Sequence, residues 1–233
     1  MSEPSIRCAG VTVTMEGRTI LSDLCFDIGP GETVAVVGAN GSGKTTLLRA
    51  CAGLLPMATG ELGIVGRDPR ASAPAYLADL RAYAPQHPQS AWDYTVSELA
   101  ALTPAPDRFV AWCQRLCLQE KLGARLSTLS GGERKAAHLC VTFAALGDPF
   151  GKALLLDEPT AALDLCRAEL VAQAIRSSAG NGAAALVATH DLAWARSCDR
   201  VLVLQEGRLV ADGGPGQVLT DEVVRRTWGG ATP

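Results

Sequence analysis

The segment Gly38-Ala39-Asn40-Gly41-Ser42-Gly43-Lys44-Thr45 fits G-x-x-x-x-G-K-[ST], a spacing suited to holding a run of phosphates. Its glycines let the backbone curl until several N–H groups converge on one cluster of phosphate oxygens. A helix opening near Lys44 adds the positive end of its dipole. Lys44 is then placed to reach the β- and γ-phosphates, and the Thr45 hydroxyl to ligate Mg²⁺. Asn40, Gly41, Ser42, Gly43 and Thr46 complete the expected cradle. A second acidic pair, Asp157-Glu158, follows the apolar run Ala153-Leu154-Leu155-Leu156. At the C-terminal end of a buried strand, Asp157 would hold Mg²⁺ through water and Glu158 would polarise an attacking water. Each segment alone has a plainer reading: a glycine turn before an ordinary helix, and two solvated acids at a strand end. The pair together favours phosphate chemistry.

These groups need a frame that brings residues 44 and 157 to one place. Thr33–Val37 is wholly apolar and reads as a strand buried on both faces, with a helix expected over Thr45–Ala52 and ending at Gly53. Ala153–Leu156 and Ala184–Thr189 read as two more buried strands, joined by a helix from Asp164 to Ser177 with Gly180 beyond its end. Upstream, Ile6–Val13, Thr19–Leu21 and Leu24–Ile28 read as strands punctuated by turns such as Glu16-Gly17 and Gly29-Pro30-Gly31. Residues 66–75 read as a surface loop. From about 87 to 150 strand patterns give way to helical ones, near Val96–Leu102, Asp107–Leu118 and Gly131–Leu146. Val201–Gln205 and Arg208–Ala211 read as a late hairpin around Glu206-Gly207. The expected fold is therefore α/β with a mostly parallel sheet and an antiparallel N-terminal part. It is one domain over 1–233, with its core in 1–86 and 151–233 and a helical insertion over about 87–150.

Composition narrows the field. The 233 residues are 48% hydrophobic and 19% charged, as in a folded globular chain. A formal net charge of −3 argues against nucleic acid as a partner and against direct docking on acidic lipid. Apolar runs such as Ala183–Ala188 are too short to span a bilayer, and the start of the chain shows no secretory h-region. A role at a membrane would require a separate membrane partner. The eight cysteines include no C-x-x-C pair and sit among apolar residues, as reduced cytosolic thiols do. Cys113 and Cys117 have the spacing of two ligands on one helix face, without a third nearby.

Leu129-Ser130-Gly131-Gly132-Glu133 adds the specific element. Ser-x-x-Glu by itself is a capping box opening a helix. Standing between the Lys44 loop and the Asp157-Glu158 strand, it resembles the signature motif of the ABC ATPases, a family of P-loop NTPases. Gln86 after Tyr83-Ala84-Pro85 resembles the Q-loop, and Leu163-Asp164 resembles the D-loop. His190 in Ala188-Thr189-His190-Asp191 resembles the switch histidine, where a lone histidine at a strand end would otherwise read as structural. The resemblance covers essentially the whole chain.

It implies a RecA-like core with an inserted ABC-type helical subdomain, ATP hydrolysis with Mg²⁺, and a head-to-tail pair of copies. Each ATP would lie between one copy's Lys44 loop and Ser130, Gly131 and Gly132 of the other. Glu158, His190 and Lys44 would be catalytic, Thr45, Gln86 and Asp157 would surround the metal, and Met15 would cover the adenine. Transmembrane permease subunits, and a solute-binding protein in an importer, would be partners at the cytoplasmic face of the cell membrane. Three positions depart from the pattern: Met15 stands where an aromatic is usual, Ala136 where an arginine is, and Ala162 where serine is common.

Residues 86–99, the tail 211–229 and Gly147–Lys152 further resemble motors of siderophore, cobalamin and haem importers, the tail also those of zinc or manganese importers. Exporter motors share the same motifs. Soluble ABC proteins of translation or DNA repair usually carry two such domains or a long coiled-coil insertion. Trp92 and Tyr94 would either pack in the helical lobe or contact a membrane subunit.

Overall fold

A computed structural model of the chain describes residues 3–55, 58–88 and 92–228. The chain opens with β1 (Ile6–Met15) and β2 (Arg18–Ile28), an antiparallel pair joined at Glu16-Gly17, both with positive φ. Ile6, Cys8, Val11 and Val13 of β1 face the core with Leu21, Leu24, Phe26 and Ile28 of β2. The break expected between Leu21 and Leu24 is a bulge instead. Asp23 takes φ 54 and the register shifts there, so β2 bends without ending. After β3 (Thr33–Val37) and α1 (Lys44–Cys51), β4 (Ala58–Ile64) returns to pair with the other side of β1. This gives a three-stranded antiparallel sheet ordered β2-β1-β4.

The loop expected over 66–75 gives way at its end to α2 (Pro74–Leu80), with Pro74 in the first turn, where its missing N–H costs nothing. β5 (Arg81–Ala84) follows directly. Next come a 3₁₀ turn at Ser97–Leu102, α3 (Pro106–Arg115) and α4 (Gly131–Leu146). Among the described residues of 87–150 there is no strand, only an isolated bridge between Thr95 and Arg125. α3 stops short of the expected Leu118, because Cys117 is left-handed at φ 55. That puts Cys117 outside the helix, and buried Cys113 instead meets Cys140 of α4. All eight cysteines are free thiols.

The rest of the chain is β6 (Ala153–Asp157), α5 (Leu165–Gly180), β7 (Ala184–Ala188), α6 (Leu192–Ala195), β8 (Arg200–Gln205), β9 (Arg208–Gly213), α7 (Pro215–Val218) and α8 (Asp221–Trp228). α5 runs through Gly180, which had been expected beyond its end. The main sheet is ordered β5-β6-β7-β3-β8-β9, parallel except for β9, which is antiparallel to β8.

The buried strands serve two layers at once. In β6, Ala153 and Leu155 face the antiparallel sheet and α1, while Leu154 and Leu156 face the helical side with α3, α4 and α5. In β3, Val34 and Val36 face the first layer, and Ala35 and Val37 pack with Ala195, Val201 and Val203. A strand covered on both faces carries no polar alternation, which is why these segments read as unbroken apolar runs. β3, β6 and β7 all run the same way, so their C-terminal ends open on one edge of the sheet.

Candidate functional site

The loop after β3 wraps the N-terminus of α1. Gly43 caps that helix in a left-handed conformation, φ 106. A Cβ there would lie 2.6 Å from Leu21 Cδ2, and one at Gly38 would overlap the Leu204 carbonyl, so both positions are restricted to glycine. Lys44, 8% exposed, folds back on the loop and donates to the carbonyls of Gly38 at 2.8 Å and Ala39 at 3.2 Å. Burial pushes its pKa down, while the charges of Glu158 and Asp157 pull it back up. A cleft of about 480 Å³ is lined by Asn40, Gly41, Ser42, Gly43, Lys44, Thr45 and Thr46, with Gln86, Asp157, Glu158 and Ile20. Ile20 of β2 was not legible beforehand; it enters because the β1–β2 hairpin leans over the loop.

Asp157 ends β6, 1% exposed. Burial raises its pKa, partly opposed by the hydrogen bond from the Thr45 hydroxyl. Among the described residues its Oδ2 has no hydrogen-bond partner, nor does the buried Ser42 hydroxyl. A carboxylate oxygen buried without a donor, in a cleft that also presents the Thr45 hydroxyl, fits a divalent cation. Glu158 follows in the left-handed region at φ 49, 7% exposed, and its N–H donates to the Ala188 carbonyl at 2.9 Å. Its Oε2 lies 2.7 Å from Nδ1 of His190, which sits just beyond β7. β6 and β7 end side by side, and that adjacency joins two residues 32 apart in sequence. The structure thus brings Lys44, Thr45, Asp157, Glu158, His190 and Gln86 together. Lys135 joins them unforeseen, donating from α4 to the Glu158 carbonyl.

Ser130, Gly131 and Gly132 do not line the cleft. Ser130 caps α4 in a reciprocal box with Glu133: its hydroxyl accepts from the Glu133 N–H at 3.2 Å, and the Glu133 carboxylate accepts from the Ser130 N–H at 2.9 Å. Those bonds, with the Ser130 hydroxyl and Lys121 adding to them, hold the Glu133 carboxyl down at about 2. A Cβ on Gly132 would lie 2.8 Å from the Ala162 carbonyl, whereas one on Gly131 would meet nothing within 4 Å. Among the described residues of this subunit nothing requires Gly131 to be glycine.

Met15 stands at the tip of the β1–β2 hairpin, 38% exposed and outside the cleft lining. If it covers the adenine, Met15→Tyr should tighten ATP binding by about 0.5–1.5 kcal/mol, the scale of an added aromatic stack. A nucleotide titration showing an unchanged Kd would place another residue over the base. Trp92 is 72% exposed, while Tyr94 packs partly buried into the helical layer. Gln89, Ser90 and Ala91 of the segment after Gln86, and Gly229 of the tail, lie outside the described residues.

Comparison with known proteins follows the same lines. A family model described as "ABC transporter" matches residues 21–161. The chain is 36% identical over 237 residues to the hemin import ATP-binding protein HmuV of Rhodococcus jostii, covering 97% of this chain and 80% of that protein. It is 37% identical over 245 residues to the protein of the same name from Deinococcus radiodurans, covering 98% and 91%. Among solved structures, an ATP-binding subunit of an ABC transporter superposes with a TM-score of 0.81 at 24% identity, over 98% of this chain and 95% of that one. A bacterial Atm1-family ABC exporter with ATP bound gives 0.85 at 23%, over 99% of this chain and 42% of that one. At these identities the structural likeness shows the fold alone.

Proposed function

Since the chain belongs to the ABC transporter family, whose ATP-binding subunits hydrolyse ATP, we propose that it drives an importer of hemin or a related metal chelate. In this reading two copies pair head to tail under transmembrane permease subunits at the cytoplasmic face of the membrane, with a solute-binding protein delivering cargo. The residues 1–86 and 151–233 form the ATP-binding core, and about 87–150 form the lobe that meets the permease. The observation that carries the motor assignment is the meeting of Lys44, Thr45, Asp157, Glu158 and Gln86 in one cleft. The cargo assignment rests on the two named relatives and on the resemblance over residues 86–99. Among the described residues no helix is long and apolar enough to cross a membrane, in keeping with a separate permease.

The geometry supports a role for each residue. Lys44 exchanges the Gly38 and Ala39 carbonyls for phosphate oxygens when ATP enters. Thr45, Asp157 and Gln86 would hold Mg²⁺, which supplies charge neutralisation on the phosphates when bound. Glu158 orients and polarises the attacking water, and the His190 contact fixes its carboxylate. Gly131, open on its own surface, leaves room for the partner copy's ATP to approach the N-terminus of α4.

Affinity capture of the tagged chain from native membranes, followed by vesicle reconstitution of the captured complex, tests the transport reading. Hemin should accumulate on the side where ATP is supplied. Movement away from that side would make the protein an exporter motor. Capture with no membrane protein, across several detergents, would overturn the transporter assignment altogether.

A further inference from the structure

Lys135 is a buried cation that the chemistry above leaves unused. It lies in the first part of α4, 8% exposed, and Lys44 and Lys135 are the two basic residues among the buried side chains described. Lys44 reaches the acidic pair from α1, and Lys135 reaches it from α4 on the helical side. The Lys135 ammonium donates to the backbone carbonyl of Glu158. It also lines a cavity shared with Gln86, Ala161 and Ala162.

Glu158 needs such a partner. Its φ of 49 is a conformation that a side-chain-bearing residue holds only when its surroundings over-determine it. Four contacts do so here: the N–H to Ala188 of β7, the carboxylate to His190 beyond β7, and the carbonyl both to the Ala161 N–H of its own turn at 3.2 Å and to Lys135 of α4. The first two come from one strand and its extension. Lys135 alone approaches from the helical side, and it fixes the peptide that follows Glu158. Replacing the ammonium by an apolar chain of similar length keeps the packing volume and removes this donor from the Glu158 carbonyl.

We infer that Lys135 is a positioning residue for the hydrolytic carboxylate: it clamps the left-handed turn at Glu158 so that the side chain stays aimed at the attacking water. This rests on the reading of Glu158 as the water-polarising group.

The test uses the full chain and compares Lys135→Met with Lys135→Arg. Lys135→Met should lower kcat for ATP roughly 10- to 100-fold while leaving the MgATP Kd within about threefold, the split expected when positioning is lost and binding is kept. Lys135→Arg, which keeps a charged donor, should recover most of the rate. In a Glu158→Gln background, Lys135→Met should remove less than about twofold further, because it acts through the side chain already neutralised. An unchanged kcat in folded Lys135→Met protein would overturn the inference. So would an equal proportional loss in both backgrounds, which marks a general structural role. If the methionine variant does not fold, Lys135→Gln carries the same comparison with the same expected loss. Normal turnover by Glu158→Gln alone would instead refute the role of Glu158, so the two failures are distinguishable.

Discussion

Glu158→Gln should bind MgATP and hydrolyse it roughly 10²- to 10⁴-fold more slowly, the range lost when a positioned general base is removed. The change is nearly isosteric, so the N–H bond to Ala188 and the carbonyl bond from Lys135 remain available and the local backbone is retained. What goes is the negative charge beside His190 Nδ1 and the ability to draw a proton from water. Phosphate release under single-turnover conditions reads the loss, and equilibrium dialysis with ATP confirms that binding survives. Since ATP then persists, light scattering with MgATP should show the mass of two copies, stabilised by the nucleotide that both copies grip. Turnover within a few-fold of the unsubstituted protein would remove Glu158 from the chemistry. A mass indifferent to nucleotide over a wide protein concentration would count against the paired arrangement.

Lys44→Ala should fail at the earlier step. Among the described residues the ammonium is the only positive charge lining the cleft, and charge-assisted hydrogen bonds contribute about 1.5–3 kcal/mol, so affinity for MgATP should fall roughly 10- to 150-fold. Without nucleotide the substitution removes the Lys44 donor from the Gly38 and Ala39 carbonyls, while the Ala39 carbonyl keeps the Ser42 N–H at 3.1 Å. The helix should nonetheless form, because Leu47, Leu48, Ala50 and Cys51 anchor α1 in the core. A nucleotide titration beside a thermal melt separates the two effects. Retained affinity would mean that the loop N–H groups suffice to hold the phosphates.

The cleft was legible in the sequence because its parts are short-range. A glycine cradle, the helix it opens and the acids ending an apolar strand each fit within a dozen residues, and their physical meaning does not depend on the rest of the chain. β3, β6 and β7 were legible for a related reason: two-sided burial leaves an unbroken apolar run. β5 was not, since Arg81-Ala82-Tyr83-Ala84 is only four residues long and buries only two small alanines fully. β4 was missed because Gly60, at φ +85, and Gly63 interrupt its pattern, and only Leu62 and Ile64 face the core. α8 announces itself only weakly, through Thr220, whose hydroxyl accepts from the Val223 N–H at 3.3 Å, and through Asp221 and Glu222 at one end and Arg225 and Arg226 at the other. Lys135 and Ile20 were missed for another reason. Their importance depends on the phase of a helix and the lean of a hairpin, both decided by packing with distant elements.

The contact between Gly132 and Ala162 has a mechanical side. A Cβ at 132 would strike the Ala162 carbonyl at 2.8 Å, so the start of α4 and the stretch after Glu158 are pressed together with no slack between them. Lys135, about one turn further on, fastens the same helix to Glu158 itself. The N-terminus of α4 and the turn at Glu158 therefore form one stiff part, joined at two points rather than by a compliant loop. A push on Ser130 from outside the subunit would not be absorbed locally; it would arrive as a displacement at Glu158. Such a part transmits force like a short lever, and in the proposed paired arrangement its stiffness would limit how independently two copies can fire.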